Sequence, residues 1–580
     1  MEITKKLLKF LDPSLNIAAF FLIFLLVINA LAESLSIALI IPITLFLFDN
    51  NLIDIYPKFF SFIESFSPFN YLAEVYSKKI IIISGLLVIF CLLIILRIIF
   101  NILFLYYKAD LQLKTRYLIS NKLMKGYFSI PGDKFLNKNN STLAFSAISE
   151  TAQASSCVGL LFVLISEFFL LLCVFIILVV YQPKITFLIS IIIGISSFTF
   201  VIFFKRKINL FAVTRREGEK ENMKQIYEMF DGLAEIKSYN AISFFLKKYL
   251  INFKSYLKNL KFAEVLPSLP KLWLELISLF TITALLAYMI NNNFTQAMII
   301  STLGLYIGAV FRLVPSVNKI INSIQAIKYH EPVIDNLLND FNSIDESHFF
   351  IKQKVKKIKM NSKITLSNIS YGYNESKLIL DNLSLSINKN QKIGISGESG
   401  CGKSTLIKIL VGLIKPNSAL FIIDDTIEVR DDYLNLKGTS FVPQNIFIVN
   451  DTIRKNIAFG VSDSEIDDEK INHCIKQVQL DKMLNSLSDV ANHYLMERGK
   501  NLSGGQIQRI GIARALYFDP DIIIFDESTS SLDRTNEEKI LKLIDKISNN
   551  KTIIFISHRK EVLNFCDINY HMENKKIYVQ

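Results

Sequence analysis

The stretch that decides the fold of the second half of the chain is Gly397–Thr405, which reads G-E-S-G-C-G-K-S-T. It fits the pattern G-x-x-x-x-G-K-[S/T], in which glycines let successive backbone N–H groups point at phosphate oxygens. The run Gln391–Ser396 before it predicts a buried strand, and Leu406–Leu413 after it predicts an amphipathic helix. This context predicts a phosphate-binding loop at a helix N-terminus, rather than a glycine-rich turn that binds nothing. Lys403 is then expected to reach the β- and γ-phosphates of a nucleotide, and Ser404 to ligate Mg²⁺.

The composition separates this chain from ordinary soluble enzymes. Of its 580 residues, 51% are hydrophobic and 20% are charged, and the mean hydropathy is +0.36. A chain of this length is expected to hold more than one domain, and so large an apolar share indicates membrane-spanning segments. The formal net charge of +12 at pH 7 fits either nucleic acid or anionic lipid, so its position along the chain must decide. The six cysteines are scattered without metal-site spacing, which predicts free thiols and no zinc.

The first half contains six apolar runs of about the 20 residues that a helix needs to cross a bilayer. Only Gln182-Pro183-Lys184 separates the third run from the fourth, which predicts a helical hairpin. The six predicted spans are Ile17–Phe48, Ile80–Tyr107, Ser155–Tyr181, Ile185–Phe204, Leu266–Ile290 and Ala297–Val317.

Basic residues concentrate in the two long connections, Lys108–Ala154 and Lys205–Val265, and at the N-terminus. The positive-inside rule therefore places both termini and both connections in the cytosol. This position explains much of the basic charge, so no nucleic acid partner is expected. Helical periodicity, for example over Asn222–Phe253, predicts that the connections are helices continuing into the cytosol. The aromatic-rich outer segment Asp49–Lys79 predicts either a short interfacial helix or a packed loop.

The pattern changes from Ser362 onward, where short strands alternate with helices. We therefore predict a multidomain protein in which an α-helical six-span transmembrane domain precedes an α/β P-loop ATPase domain. The transmembrane domain with its cytosolic helical extensions is assigned to residues 1–330, a polar linker to 331–360, and the nucleotide-binding domain to 361–580.

Acidic residues end another predicted strand of this domain. Asp521–Asp526 reads D-I-I-I-F-D and is followed by Glu527. Asp526 is expected to hold Mg²⁺ directly or through water. Glu527 is expected to polarise the attacking water as a general base.

Two further strands end beside polar residues. Thr439–Val442 is followed by Gln444, and Thr552–Ile556 is followed by His558. Open α/β sheets bind ligands at the carboxyl ends of their strands, so these side chains are expected to meet at the phosphate loop. Gln444 or His558 alone would suit a structural role, but together with the other elements they favour γ-phosphate sensing.

The run Asn501–Gln506, N-L-S-G-G-Q, stands ahead of the D-I-I-I-F-D strand. It resembles the signature of ABC transporters, and six spans ahead of one nucleotide-binding domain resemble an exporter half-transporter. The resemblance implies ATP and Mg²⁺ as cofactors. It also implies that Ser503 and Gly505 contact the γ-phosphate bound by the other subunit of a dimer. Because Glu527 and His558 are both present, both sites of a homodimer are expected to hydrolyse ATP.

Shorter segments extend this resemblance. Tyr373 matches the adenine-stacking aromatic residue, Ser530–Asp533 the D-loop and Glu497–Gly499 the X-loop of exporters. The catalytic roles then fall to Glu527, His558 and Gln444, and the contacts with Mg²⁺ fall to Ser404, Gln444 and Asp526. The predicted nucleotide-binding residues are Tyr373, Gly397, Ser399, Gly400, Gly402, Lys403, Ser404, Thr405, Ser503, Gly504, Gly505, Gln506 and Asp526.

The transported substrate is indicated by Arg97 and by the segment Tyr306–Asn322, which contains Arg312. Together they resemble the bacterial flippases that move lipid-linked oligosaccharides for protein N-glycosylation. That resemblance implies a polyprenyl-diphosphate glycan as substrate and a multi-pass homodimer, surrounded by lipid, in the bacterial inner membrane. Both arginines lie roughly 22–25 Å from the outer ends of their predicted helices, at 1.5 Å per residue. Guanidinium groups at one depth are candidates for receiving a diphosphate headgroup.

Alternatives to this substrate and to this role of the arginines stay open. The arginines are equally able to form ion pairs with Glu167 or Glu275 inside the helical bundle. The substrate is alternatively a lipid A-like lipid, a drug or a peptide, although these 580 residues contain no N-terminal cysteine-peptidase domain, which argues against leader peptides. The six spans argue against an ABC ATPase that works on nucleic acid.

Overall fold

The computed structural model describes residues 2–40, 42–43, 78–130, 139–292, 294, 296–343, 360–372, 378–430, 438–484, 489–496, 499–527 and 534–580. These residues divide into two compact units. One is built from Met1–Ser129 and Lys138–Phe349, and the other mainly from Phe350–Gln580.

The first unit is helical. A π-helical turn, Ser146–Glu150, leads into its fifth helix, and short 3₁₀ turns at Pro13–Leu15 and Leu266–Ser268 precede the second and ninth. The helices are α1 (Glu2–Leu8), α2 (Asn16–Ala38), α3 (Lys78–Ser129), α4 (Asn140–Phe145), α5 (Thr151–Tyr181), α6 (Pro183–Asp231), α7 (Leu233–Ser238), α8 (Ile242–Val265), α9 (Leu269–Asn291), α10 (Gln296–Tyr329) and α11 (Glu331–Ser343).

Six helical segments of the described residues are long and apolar enough to cross a membrane. This number confirms the predicted six-span fold, and α3 and α6 run far beyond bilayer length, as expected of spans that continue into the cytosol. The segments are Pro13–Ala38, Ile83–Ser129, Asn140–Tyr181, Pro183–Phe200, Ile242–Asn291 and Thr302–Tyr329.

Three predicted segments either differ from the structure or fall largely outside the described residues. Asn222–Phe253 is not one helix, because α6 ends at Asp231 and Asn240, at φ 53° in the left-handed region, separates α7 from α8. Most of the outer segment Asp49–Lys79 lies outside the described residues. The first part of the predicted linker 331–360 is helix α11, and 344–359 lie outside the described residues.

The third, fourth and sixth spans share one core. Leu170 and Val174 of α5 pack with Leu305 and Tyr306 of α10 in a cluster of buried side chains. The Tyr306 hydroxyl lies 2.8 Å from the Thr186 hydroxyl of α6, so a buried hydrogen bond joins α10 to α6 as well. This packing fixes the position of α10, which carries Arg312 less than two turns further along.

The second unit is an α/β domain. Its strands are β1 (Lys363–Tyr371), β2 (Leu380–Asn388), β3 (Lys392–Gly397), β4 (Ser418–Ile423), β5 (Ile427–Arg430), β6 (Thr439–Val442), β7 (Ile522–Asp526), β8 (Thr552–Ile556), β9 (Ile568–Glu573) and β10 (Lys576–Val579). Its helices are α12 (Lys403–Leu410), α13 (Ile453–Ile457), α14 (Asp468–Gln477), α15 (Leu480–Met483), α16 (Gly504–Tyr517), α17 (Arg534–Ile547) and α18 (Lys560–Leu563).

The strands form two sheets, one in the order β2-β1-β4-β5 and one in the order β10-β9-β3-β8-β7-β6. In the larger sheet β3, β8, β7 and β6 are parallel neighbours. Strand β7 is buried on both faces, with Ile523 and Phe525 in one hydrophobic core and Ile522 and Ile524 in another. Burial on both faces explains its uninterrupted apolar sequence. Because parallel strands end at one edge, the residues that follow these four strands converge there.

Candidate functional site

The predicted phosphate loop is a tight turn between β3 and α12. Gly397, Gly400 and Gly402 have φ values of 149°, 85° and 108°, in the region that favours glycine. A Cβ on Gly402 would lie 2.8 Å from a side-chain carbon of Leu380, so a larger residue would also clash. Helix α12 begins at Lys403, three residues earlier than predicted, because Gly402 already occupies the N-cap position.

Lys403 bends back over this loop. Its side chain is buried, and Nζ donates to the carbonyl oxygens of Gly397 at 2.6 Å and Glu398 at 2.8 Å. The ammonium group is thereby held at the start of α12, where backbone N–H groups and the helix dipole also favour an anion. The loop can therefore bind phosphate through both its backbone and one fixed cation.

Glu527 joins the ends of three strands. Its own φ is 42°, unusual for a residue other than glycine, and its N–H donates to the Ile556 carbonyl at 3.0 Å. Its carboxylate accepts a hydrogen bond from Gln444 Nε2 at 3.3 Å and lies 3.3 Å from His558 Nε2. The predicted catalytic side chains Gln444 and His558 thus both contact the third, Glu527. In the neighbouring Asp526, burial and then the charge of Glu527 raise the pKa of the carboxyl group, against the opposing effect of Lys408 and Lys403.

The phosphate loop and these side chains enclose one cavity of about 600 Å³. It has the size of a small-ligand pocket and opens at the carboxyl edge of the sheet. The hydroxyl of Ser404, the amide of Gln444 and the carboxylate of Asp526 supply oxygen ligands of the kind that Mg²⁺ prefers, so these residues fit the ion. The cavity is lined by Ile379, Ser399, Gly400, Gly402, Lys403, Ser404, Thr405, Gln444, Asp526, Glu527 and His558.

The signature residues stand at the exposed N-terminus of α16. Ser503 is the N-cap: its hydroxyl accepts from the Gln506 N–H at 3.3 Å, and the Gln506 side chain accepts from the Ser503 N–H at 2.8 Å. This capping box fixes the start of the helix and leaves the N–H groups of Gly504 and Gly505 at its tip. None of these four residues is among the described residues that line the cavity of their own chain.

Three predicted elements lie outside the described residues. They are Tyr373, Glu497 and Arg498 of the X-loop, and the D-loop Ser530–Asp533.

In the first unit, Arg97 and Arg312 meet at a third charged residue. Glu33 of α2 is 1% exposed, and its carboxylate lies 3.0 Å from Arg97 Nη2 of α3 and accepts from Arg312 Nη2 of α10 at 2.6 Å. The two arginines therefore lie at one level of the bundle, as the sequence predicted. They keep 34% and 22% of their side-chain surface exposed.

The ion-pair partners proposed from the sequence were wrong. Glu167 pairs with Lys319 at 2.6 Å, and Glu275 pairs within its own helix with Lys271 at 3.7 Å. The acid that sequence reasoning missed is Glu33. Its signal was available, because a carboxylate inside an apolar span is costly and normally has a partner.

Comparison with known proteins shows which family has this architecture. Residues 17–312, just over half of the chain, match the profile of the ABC transporter transmembrane region. Residues 380–530 match the profile named ABC transporter. The chain belongs to the ABC transporter family. Its second unit is accordingly an ABC ATPase domain, and its first unit makes it a multi-pass membrane protein.

Individual relatives of this ABC transporter match it over part of their length. "Lactococcin-G-processing and transport ATP-binding protein LagD" of Lactococcus lactis subsp. lactis is 34% identical over 349 residues, which cover 59% of this chain and 48% of the relative. "ABC transporter B family member 29, chloroplastic" of Arabidopsis thaliana is 29% identical over 324 residues, or 55% of this chain and 50% of the relative. The chain thus spans about half the length of these relatives.

A solved structure supports the exporter fold over almost the whole chain. The structure of "a bacterial Atm1-family ABC exporter with ATP bound" superposes with a TM-score of 0.73 at 17% identity, covering 97% of this chain and 95% of that chain. At this identity the likeness shows the fold. The predicted half-transporter architecture, six spans followed by an ABC ATPase domain, is confirmed.

Proposed function

We propose that this ABC transporter uses ATP to move a lipid-linked oligosaccharide, a polyprenyl-diphosphate glycan, from the inner to the outer leaflet of a bacterial inner membrane. The observation that supports this substrate is the meeting of Arg97 and Arg312 inside apolar helices. An arginine at the centre of a membrane helix costs about 2.5–3.5 kcal/mol on insertion scales, and such residues mark substrate pathways. Guanidinium groups bind phosphate oxygens in a bidentate manner, as a diphosphate headgroup requires.

The charge balance of the cluster supports the same ligand. Two guanidinium groups face one carboxylate, that of Glu33, so the cluster carries one excess positive charge. Roughly ten N–H donors stand against about four carboxylate lone-pair positions, so donors remain for a second anion. The exposed fractions of Arg97 and Arg312 leave these donors within reach of a ligand.

ATP supplies the driving force at the cavity of the second unit. The phosphate loop and Lys403 bind the phosphates. The resemblance to the family assigns stacking on the adenine to Tyr373. Ser404, Gln444 and Asp526 would hold Mg²⁺, which would supply charge neutralisation at the phosphates. Glu527 accepts a proton from the attacking water, and its contacts with Gln444 and His558 orient its carboxylate.

A complete site requires a second copy of the chain. The signature residues, Ser503, Gly504, Gly505 and Gln506, stand at an exposed helix N-terminus, away from the cavity of their own chain. Such an N-terminus binds phosphate, so we assign it to the γ-phosphate of ATP bound by the partner in a homodimer.

Peptide export is the second candidate. Three relatives from Lactococcus lactis and Leuconostoc mesenteroides carry names that describe bacteriocin transport. A peptide has no constant diphosphate group, and its single C-terminal carboxylate is a poorer match for two guanidinium groups.

The test is transport by the purified protein in vesicles with three substrate classes: polyprenyl-diphosphate sugars, lipid A and peptides. We expect the diphosphate-linked sugars to be moved and to stimulate ATP hydrolysis. Arg97→Ala and Arg312→Ala should each abolish this transport. Each variant leaves Glu33 paired with the remaining guanidinium, so folding is expected to survive and is checked by a melting curve.

Arg312→Lys keeps the charge but loses bidentate binding, and should transport poorly. Peptide-stimulated transport, or intact lipid transport in folded Arg→Ala variants, would overturn the proposal.

A further inference from the structure

Glu33 has no role in the proposed binding of the headgroup, yet it is the centre of the arginine cluster. Its carboxylate is 1% exposed, whereas the two guanidinium groups it joins keep 34% and 22% of their surface. The carboxylate is therefore enclosed, and the guanidinium groups are the part of the cluster that a ligand can reach. The two arginines come from different helices, α3 and α10, and Glu33 on α2 is the group that holds them together.

We propose that Glu33 is the resident counter-anion of the headgroup site. It positions Arg97 and Arg312 before substrate arrives, and it limits how tightly the site retains a diphosphate. The inference rests on the proposed function. Carboxylate and phosphate oxygens compete for the same N–H donors, because both accept bidentate hydrogen bonds from guanidinium.

Release explains why a transporter needs such a residue. Two unopposed guanidinium groups in a low-dielectric bundle would hold a diphosphate strongly, since charge interactions are strong there. A transporter that binds its ligand equally tightly at every stage of transport has a higher affinity but not a higher turnover. A fixed carboxylate removes one positive charge from the site and can take back the donors as the lipid leaves.

The decisive variant is Glu33→Gln, which keeps the size of the side chain and removes its charge. We expect Kd for a short prenyl diphosphate to fall at least tenfold, while the transport rate at saturating substrate falls. A merely structural ion pair would instead lose folding stability without tighter binding. Glu150→Gln is the matched control, because it removes the charge of another buried carboxylate, which pairs with Arg216 at 2.7 Å, and it should leave Kd unchanged.

A second variant separates charge from folding. Glu33→Gln combined with Arg97→Gln restores the excess of one positive charge, carried by Arg312 alone. We expect its Kd to lie within threefold of wild type, whereas Arg97→Gln alone, which has no excess charge, should bind at least tenfold more weakly. Rescue of Arg97→Gln by loss of Glu33 is a result that a structural role does not produce. It also carries the test if Glu33→Gln alone fails to fold.

Binding is measured with the full-length protein in phosphatidylcholine nanodiscs, using farnesyl diphosphate, farnesyl monophosphate, farnesol and inorganic diphosphate. Preference for farnesyl diphosphate over inorganic diphosphate identifies a lipid-borne headgroup, and the reverse identifies a site for the free anion. The role of Glu33 is overturned if folded Glu33→Gln binds farnesyl diphosphate no more tightly than wild type while wild-type binding still depends on Arg97. That result leaves the proposed function intact. If the wild type binds farnesol as tightly as farnesyl diphosphate, the headgroup site itself is overturned, and the role of Glu33 with it.

Discussion

Glu527 contacts both Gln444 and His558, each at 3.3 Å, so one carboxylate organises the proposed hydrolytic side of the cavity. In Glu527→Gln the amide keeps the size and the contact with Gln444 but cannot take a proton from water. We expect ATP to bind normally and hydrolysis to slow at least ~10²-fold, the scale of losing a general base. Steady-state ATPase and nucleotide binding on one preparation check this. Near wild-type hydrolysis would show that the general base lies elsewhere.

Lys403 tests the phosphate loop separately from hydrolysis. Its ammonium group is buried and held at the loop by two carbonyl oxygens. Lys403→Ala removes a charge-assisted hydrogen bond worth about 1.5–3 kcal/mol, so Kd for ATP should rise roughly 10- to 100-fold. Lys415→Ala, at an exposed lysine of the same domain that is not in the cavity lining, is the control and should bind ATP within about twofold of wild type. Equal effects of the two substitutions would remove Lys403 from the site.

At the scale of secondary structure, the local sequence pattern predicted the helices and strands. It did not predict which side chains from distant parts of the chain contact each other. Strands β6 and β8 occupy the predicted residues, because an apolar run bounded by polar residues is a local signal. By contrast, Glu150 is fully buried in the π-helical turn and accepts hydrogen bonds from Arg216 and Asn336 of α6 and α11. Those contacts join residues far apart in sequence. The same reason hid the two partners of Glu33, which lie on α3 and α10.

The junction of α10 and α11 provides a pH test at this scale. Burial, with a smaller effect of Arg215, lowers the pKa of His330 to about 4, and its Nδ1 lies 3.2 Å from Gln153 Oε1. The unfolded chain takes up this proton near pH 6.5, whereas the folded chain does not until about pH 4. The free energy of unfolding should therefore fall as pH drops from about 6.5 to 4, by on the order of 3 kcal/mol.

Melting curves between pH 4 and 7.5 check this dependence. His330→Gln should flatten it, because the amide does not titrate in this range. The exposed His473 is the matched control, and His473→Gln should keep the wild-type slope. An unchanged slope in His330→Gln would assign the acid sensitivity to other groups.

At the scale of the whole molecule, the phosphate loop and the signature of one chain are separate structures. Lys403 lines the cavity, whereas Ser503 caps the exposed N-terminus of α16 outside it. If ATP is closed between two copies, Ser503→Arg spoils the signature and leaves the loop intact, and Lys403→Ala does the opposite. Each variant alone should be inactive, since both sites of its homodimer carry the same defect.

Mixed dimers of these two variants decide the arrangement. One of their two sites combines the intact loop of the Ser503→Arg chain with the intact signature of the Lys403→Ala chain, and the other carries both defects. ATPase activity should therefore reappear at up to about half of the wild-type rate, because one of two sites is restored and loses no contact in its transition state. Two affinity tags, purified in sequence, guarantee that each dimer holds one chain of each kind. If each chain completes its own site, every chain in the mixed dimer carries a defect. Confirmed mixed dimers would then neither hydrolyse ATP nor trap it in a Glu527→Gln background. That result would contradict the shared site.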